Sequence, residues 1–149
     1  MDDTFRPQIL IPLDGSKLAR AAVDEVLPLA KATNASMTLI SFMEPIMDRH
    51  FETFAHAEDI SISEAIEVYL EGEARNISQD SGLIVTSMLV GGFGEKPGEV
   101  LAHFGAKNGY DMIVMSTRGL SGFKRLVIGS VARQVVDAAE VPVLLYPPR

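Results

Sequence analysis

Met112-Ile113-Val114-Met115-Ser116-Thr117-Arg118-Gly119, followed after nine further residues by Gly129-Ser130, is the stretch on which the reading of this chain turns. Met112 to Met115 is a short apolar run of the kind buried on both faces in a parallel sheet. Ser116-Thr117-Arg118-Gly119 leaves that strand, and a helix begins near Ser130 with Val131, Val135 and Ala138 on one face. A loop returning to a helix start in this way can meet an anion. Gly119 and Gly129 permit positive φ and let backbone N–H groups approach it, and the helix dipole favours negative charge at the first turn. Ser130 adds a hydroxyl. From Met112 to Val136 there is no Asp or Glu, yet Arg118, Lys124, Arg125 and Arg133 all fall there. Lys124 and Arg125 lie within the loop, placed to meet outer phosphates. The alternative for the same cations is a solvated surface cluster.

Working outward, short apolar runs alternate with helical periodicity from end to end, the pattern of a parallel sheet covered on both faces. The first strand is Gln8-Ile9-Leu10-Ile11-Pro12, followed by Leu13-Asp14-Gly15-Ser16. Ser16 is a good N-cap for a helix with apolar positions Leu18, Ala22, Val26 and Leu29, which Pro28 should kink or shorten. Strand two is Ser36 to Phe42. Met43 to Asp59 reads as a short helix, a lid or a mobile loop. Ser61 with Glu64 makes a capping box for a helix with the stripe Ile62, Ala65, Ile66, Tyr69, Leu70 and Ile77. Strand three is Ile84 to Val90, and a helix runs from about Pro97 to about Asn108. The last strand is Val141 to Tyr146. Its Pro142 cannot donate to a ladder, which places it at a sheet edge, and an apolar edge invites pairing with a second chain. The expectation is one α/β domain over 1–149, a doubly wound parallel sheet with helices on both faces.

Composition narrows the function classes. Hydrophobic residues make up 47% and charged residues 22% of 149, an ordinary balance for a soluble globular domain. Without cysteine there are no disulfides, thiolate metal sites or cysteine nucleophiles, which suits a reducing cytoplasm. No apolar run approaches the roughly 20 residues that span a bilayer, and the N-terminus lacks the pattern of a signal peptide. A net charge of −7 argues against nucleic acid and against an anionic membrane as partners.

In an open α/β sheet, ligands bind beyond the carboxyl ends of the strands, where the strand order reverses. Besides the 116–130 loop, two other segments follow strands. Asp14 could touch a ribose hydroxyl, orient a base or help hold a metal. Equally, Asp14-Gly15-Ser16 could simply turn the chain and cap the helix. Gly91-Gly92-Phe93-Gly94-Glu95-Lys96 is superficially like a phosphate loop, but it lacks the G-x-x-x-x-G-K-[ST] spacing and reads better as a strand-to-helix turn.

Four blocks in order, Ile9 to Ser16, Met112 to Gly119, Leu126 to Ala132 and Val141 to Leu144, resemble the universal stress protein family. The resemblance covers essentially the whole chain. It implies five parallel strands in the order 3-2-1-4-5, the adenine nucleotide alpha-hydrolase-like arrangement, with the switch point between strands one and four. Nucleotide-binding members carry G-x2-G-x9-G-[ST]. Here Gly119, Gly129 and Ser130 fill the last three positions, and Ser116 stands at the first, a departure that an ordinary backbone conformation would make harmless. By the same resemblance Pro12, Leu13 and Asp14 line the adenosine, Phe42 lies near the adenine, and Val131 and Ala132 extend the phosphate-binding helix start. Met115 and Arg118 complete the expected nucleotide contacts. The implied ligand is ATP or a related adenine nucleotide such as AMP or ADP, with a divalent metal such as Mg or Mn. A homodimer through the last strand is also implied.

Efficient phosphoryl transfer is not supported, because no second acid follows a strand beside Asp14 and no Gln or His is placed near the loop to orient water. His50 and His56 share an acidic segment, but their spacing does not put them on one helical face, so a solvated loop is the simpler reading. His103 reads as a surface or packing residue. A phosphoacceptor receiver domain would need an aspartate after strand three, where Val90-Gly91-Gly92 stands. The remaining rival is an interaction dimer of the same fold that binds no nucleotide.

Overall fold

A computed structural model describes residues 5–43, 49–91, 94–117 and 128–147. Its strands are β1 (Gln8–Pro12), β2 (Ser36–Phe42), β3 (Val85–Val90), β4 (Met112–Ser116) and β5 (Val143–Tyr146). Between them run α1 (Lys17–Thr33), α2 (Arg49–Glu58), α3 (Ile62–Ser81), α4 (Pro97–Lys107) and α5 (Ser130–Ala138). All strand pairs are parallel, in the order β3-β2-β1-β4-β5.

Side-chain alternation along the central strands divides the interior in two. Ile9 and Ile11 of β1, Met37 and Leu39 of β2 and Val114 of β4 point toward α1, α2 and α3. Leu10, Ile40, Ile113 and Met115 point the other way, against Leu101 of α4 and Ala132 and Val135 of α5. β2 is buried along its whole length, as a strand with a neighbour on each side and a helix layer on each face must be.

Helix ends follow local chemistry. The Ser16 hydroxyl accepts from the Ala19 amide at 3.0 Å, capping α1. Ser61 and Glu64 form the reciprocal capping box that opens α3. The Ser61 amide and hydroxyl, both donating to the Glu64 carboxylate, hold that group below its ordinary pKa.

Several expectations are corrected. α1 runs unbroken through Pro28, whose solvent-facing position keeps the missing N–H out of the core. The Tyr146 hydroxyl donates to the carbonyl of Glu25, three residues before that proline, at 3.2 Å. The buried stripe of α1 is Ala19, Ala22, Val23, Val26 and Ala30, and Leu29 is exposed. Small side chains on that stripe let the helix lie close to the sheet, and leucines at 18 and 29 fall beside it. Ile62 is likewise exposed at the start of α3. β3 begins at Val85, with Ile84 exposed before it, and β4 extends through Ser116. β5 begins at Val143. Pro142 precedes it, and its carbonyl accepts from the Ile113 amide at 2.9 Å. The edge position expected for this strand holds. Within 43–59, the short helix among the expected alternatives is the one found, Arg49–Glu58, packed on α3 through Phe51 and Ala55.

Candidate functional site

The gap between β1 and β4 is the organising feature. β1 and β2 are in register over five residue pairs and β2 and β3 over six, whereas β1 and β4 pair only at Ile9↔Met112 and Leu10↔Ile113. Ile11–Pro12 and Val114–Ser116 have no ladder partner in one another. The central strands therefore part toward their carboxyl ends, and the order reverses there, as at the ligand crevice of doubly wound sheets.

On the β1 side the turn is held firmly. The Leu13 amide donates to the carbonyl of Ile40 at 2.8 Å, and the Ser41 hydroxyl donates to the carbonyl of Leu13. Asp14 accepts from the Ser16 amide at 2.9 Å, so the turn-forming role of its carboxylate is real. Gly15 has φ +85°, and a Cβ placed on it would fall 2.8 Å from the Phe51 ring. Only glycine fits beneath that ring. Phe51 packs edge-on against Tyr69, with ring centroids 5.5 Å apart. Burial, then the negative charges of Glu73 and Asp14, push the Tyr69 hydroxyl up to about 12. Arg20 bonds both Glu73 and Asp24. Burial works to lower its pKa, and these bonds and charges more than offset that, leaving it above the ordinary value.

On the β4 side the described residues hold the turn at its base. The Thr117 amide donates to the carbonyl of Tyr146 at 2.9 Å, and the Gly129 amide donates to the carbonyl of Thr117 at 2.6 Å. Those two bonds bring the start of α5 against the end of β4. Gly129 is the N-cap at φ −61°, ψ 160°, an extended conformation open to any residue, so the expected positive φ is not needed there. What glycine supplies is the lack of a side chain, and α5 has no side-chain cap bond.

The sequence-predicted residues divide accordingly. Leu13, Phe42, Met115 and Ala132 are buried, Leu13 in the core facing α1–α3 and Met115 and Ala132 in the core facing α4 and α5. Pro12 is buried at the end of β1, and Val131 is half-buried against the α4–α5 core. Ser116 is buried in extended strand backbone opposite Tyr146, the ordinary conformation in which serine replaces glycine without strain. Asp14, Gly129 and Ser130 stand at the rim. Arg118 and Gly119 lie outside the described residues, as do Lys124 and Arg125. Among the described residues no group of three or more His, Asp or Glu is placed to hold a metal. His56 and His103 are exposed on their helices.

Two supports were missed in the sequence. Ser41, which ties down Leu13, is a lone hydroxyl in the apolar run Leu39 to Phe42, and that isolation was its signal. Gly98 and Gln134 join α4 to α5, the Gly98 amide donating to Gln134 Oε1 at 2.9 Å. Nothing in the local sequence marks that pair.

A parallel sheet of this order with a crevice at its reversal is a doubly wound α/β fold, in which ligands bind at the switch point. The model of the universal stress protein family matches residues 6–147, and the chain belongs to that family. A universal stress protein of Methanocaldococcus jannaschii is 29% identical over 141 residues, covering 93% of this chain and 80% of the relative. One from Thermus aquaticus is 30% identical over 139 residues, covering 92% and 96%. The solved UspA of Lactobacillus plantarum superposes with TM-score 0.71 at 22% identity, covering 97% of this chain and 99% of its own. Solved members sharing the fold include one in complex with cAMP (TM-score 0.69, 19% identical), one from Arabidopsis thaliana with AMP bound (0.68, 16%) and one from Archaeoglobus fulgidus in complex with dAMP (0.62, 17%). No helix among the described residues is long and apolar enough to cross a membrane.

Proposed function

We propose that this protein binds an adenine nucleotide, ATP or AMP, where β1 and β4 part, and acts in the cytoplasm as a stress-response sensor or regulator. The observation that carries the reading is the start of α5, set against the end of β4 by the Gly129–Thr117 bond with a cap residue that has no side chain. The amides of Ser130, Val131 and Ala132 then serve the phosphates, with the helix dipole favouring the negative charge. The same reading assigns Arg118 and Gly119 to the phosphates. Adenosine lies over Pro12 and Leu13, with Asp14 toward the ribose and Phe42 beneath the base. The solved family members holding cAMP, AMP and dAMP support this ligand class.

A divalent cation such as Mg or Mn would be held mainly by phosphate oxygens, since Mg commonly takes only one or two carboxylates. Asp14 is the carboxylate at the rim for that purpose. The same reading takes the chain as one domain that dimerises through β5, an apolar strand at the end of the sheet order. Holding the nucleotide, rather than turning it over, is the activity this arrangement suits.

Calorimetry with AMP and with ATP plus magnesium, on wild type and Gly129→Val, tests the reading. Gly129 already has an extended backbone, so valine fits the chain and places a branched side chain over the first-turn amides. The variant should melt near the wild-type temperature and lose about tenfold or more in affinity. Equal affinity in the two proteins, or no binding by folded, nucleotide-free wild type, overturns the proposal.

A further inference from the structure

We infer that Gln134 is a positioning residue for the phosphate half of the site, acting from α5 through the start of α4; this rests on the nucleotide reading above. α4 begins without a cap of its own. Its N-cap Lys96 makes no side-chain cap bond, and its ammonium pairs instead with Glu99 at 3.0 Å. Pro97 has no N–H to satisfy. The first amide of α4 that needs an acceptor is that of Gly98, and Gln134 Oε1 supplies it across the helix pair at 2.9 Å.

The same glycine fixes how closely the helices approach. A Cβ placed on Gly98 would fall 2.4 Å from the Gln134 Cβ, 2.5 Å from the Val131 carbonyl oxygen and 2.9 Å from the Val135 amide nitrogen. The crossing point thus lies on the first turns of α5, beginning one residue beyond Ser130. Packing at a glycine contact sets the distance between the helices but leaves them free to slide and rotate. A hydrogen bond from a backbone amide to the end of a packed side chain removes that freedom. The amides assigned to phosphate are on the turn so fixed, one turn before Gln134. Removing the Gln134 acceptor therefore lets the α5 start shift relative to β4 without touching the ligand.

Linkage makes the effect reciprocal: if the Gly98–Gln134 bond favours phosphate binding, bound phosphate favours the bond. This separates a positioning role from a merely structural one. AMP and adenosine share the base and ribose and differ in the group that meets α5. In Gln134→Leu, AMP affinity should fall about tenfold while adenosine affinity stays within about twofold of wild type. Gln134→Glu keeps an acceptor for the Gly98 amide and should recover most of the loss. Exchange of the Gly98 amide in the wild-type protein should slow when AMP is added, more than exchange of β2 core amides.

Wild-type affinity in Gln134→Leu, equal losses for AMP and adenosine, or failure of Gln134→Glu to recover AMP binding would each overturn the inference. Should Gln134→Leu fail to fold, the exchange measurement on the wild type decides, and no slowing at Gly98 overturns it. Absence of AMP binding by the wild type is a separate result that removes the nucleotide reading itself.

Discussion

Two helices begin at the carboxyl end of the sheet on either side of the β1–β4 gap, and the chain finishes them in opposite ways. At α1 the Ser16 hydroxyl takes the Ala19 amide, Asp14 takes the Ser16 amide, and Phe51 covers Gly15. At α5 the cap is glycine, with no side-chain cap bond, and among the described residues backbone bonds at the base of the turn anchor it. Helix starts carry orphan amides that some group must satisfy. At α1 that group is covalently part of the chain. At α5 the proposed nucleotide takes that role, on a scaffold that the closed side keeps rigid.

Opening the closed side should have the largest effect. Phe51 is buried between the turn of Gly15 and the ring of Tyr69. Phe51→Ala should cost about 3 kcal/mol and lower the Tm by roughly 6–12 °C, read by thermal unfolding. A shift of only a degree or two would mean that α2 does not seal the turn as the packing indicates.

Exchanging the two caps sharpens the contrast at smaller cost. Ser16→Ala should destabilise by about 1 kcal/mol, since it leaves the Ala19 amide without its acceptor. Gly129→Asp should do the reverse and stabilise by a few tenths of a kcal/mol, because aspartate is a better cap than glycine and suits the dipole. The same change puts a carboxylate where the phosphates are proposed to lie, and calorimetry should show AMP binding abolished. Stability rising while binding disappears is the signature expected of a start kept open for a ligand. Unchanged AMP binding in Gly129→Asp would break the comparison.

Much of this was legible in the sequence, and the exceptions share a cause. Strands one and two, both serine caps and the edge position of the last strand depend on neighbours in the chain, and all stand where the residues imply. Glycines and a place between a strand and a helix mark the 116–130 loop in the sequence, and the strand and helix that flank it stand there. Yet Gly129 serves by lacking a side chain rather than by left-handed backbone, a distinction that spacing cannot express. The buried stripe of α1 departs from its leucine positions because burial follows the close approach of alanines to the sheet, not the size of the leucines beside them. Phe51 over Gly15, Ser41 on Leu13 and Gln134 on Gly98 join residues from distant parts of the chain, and periodicity carries no signal for such meetings.

The smallest expected effect probes how far charge at the crevice reaches into the closed side. The Tyr69 hydroxyl is pushed up to about 12, by burial first, by Glu73 next and by Asp14 after it. Between pH 10 and about 12 the unfolded chain has released this proton and the folded chain has not. The folded state binds more protons over that window, so stability falls as pH rises through it, and below pH 10 this group contributes no slope. Denaturant unfolding should therefore show the wild type losing ground to Tyr69→Phe across that window only. Asp14→Asn removes one of the two charges that raise this pKa and leaves burial and Glu73 in place. Tyrosinate absorbance on titration should then move down slightly, by less than Glu73→Gln moves it. A larger shift from Asp14→Asn than from Glu73→Gln would mean that the rim carboxylate, not the α3 side, governs this hydroxyl, and the closed side would then sense charge in the open crevice directly.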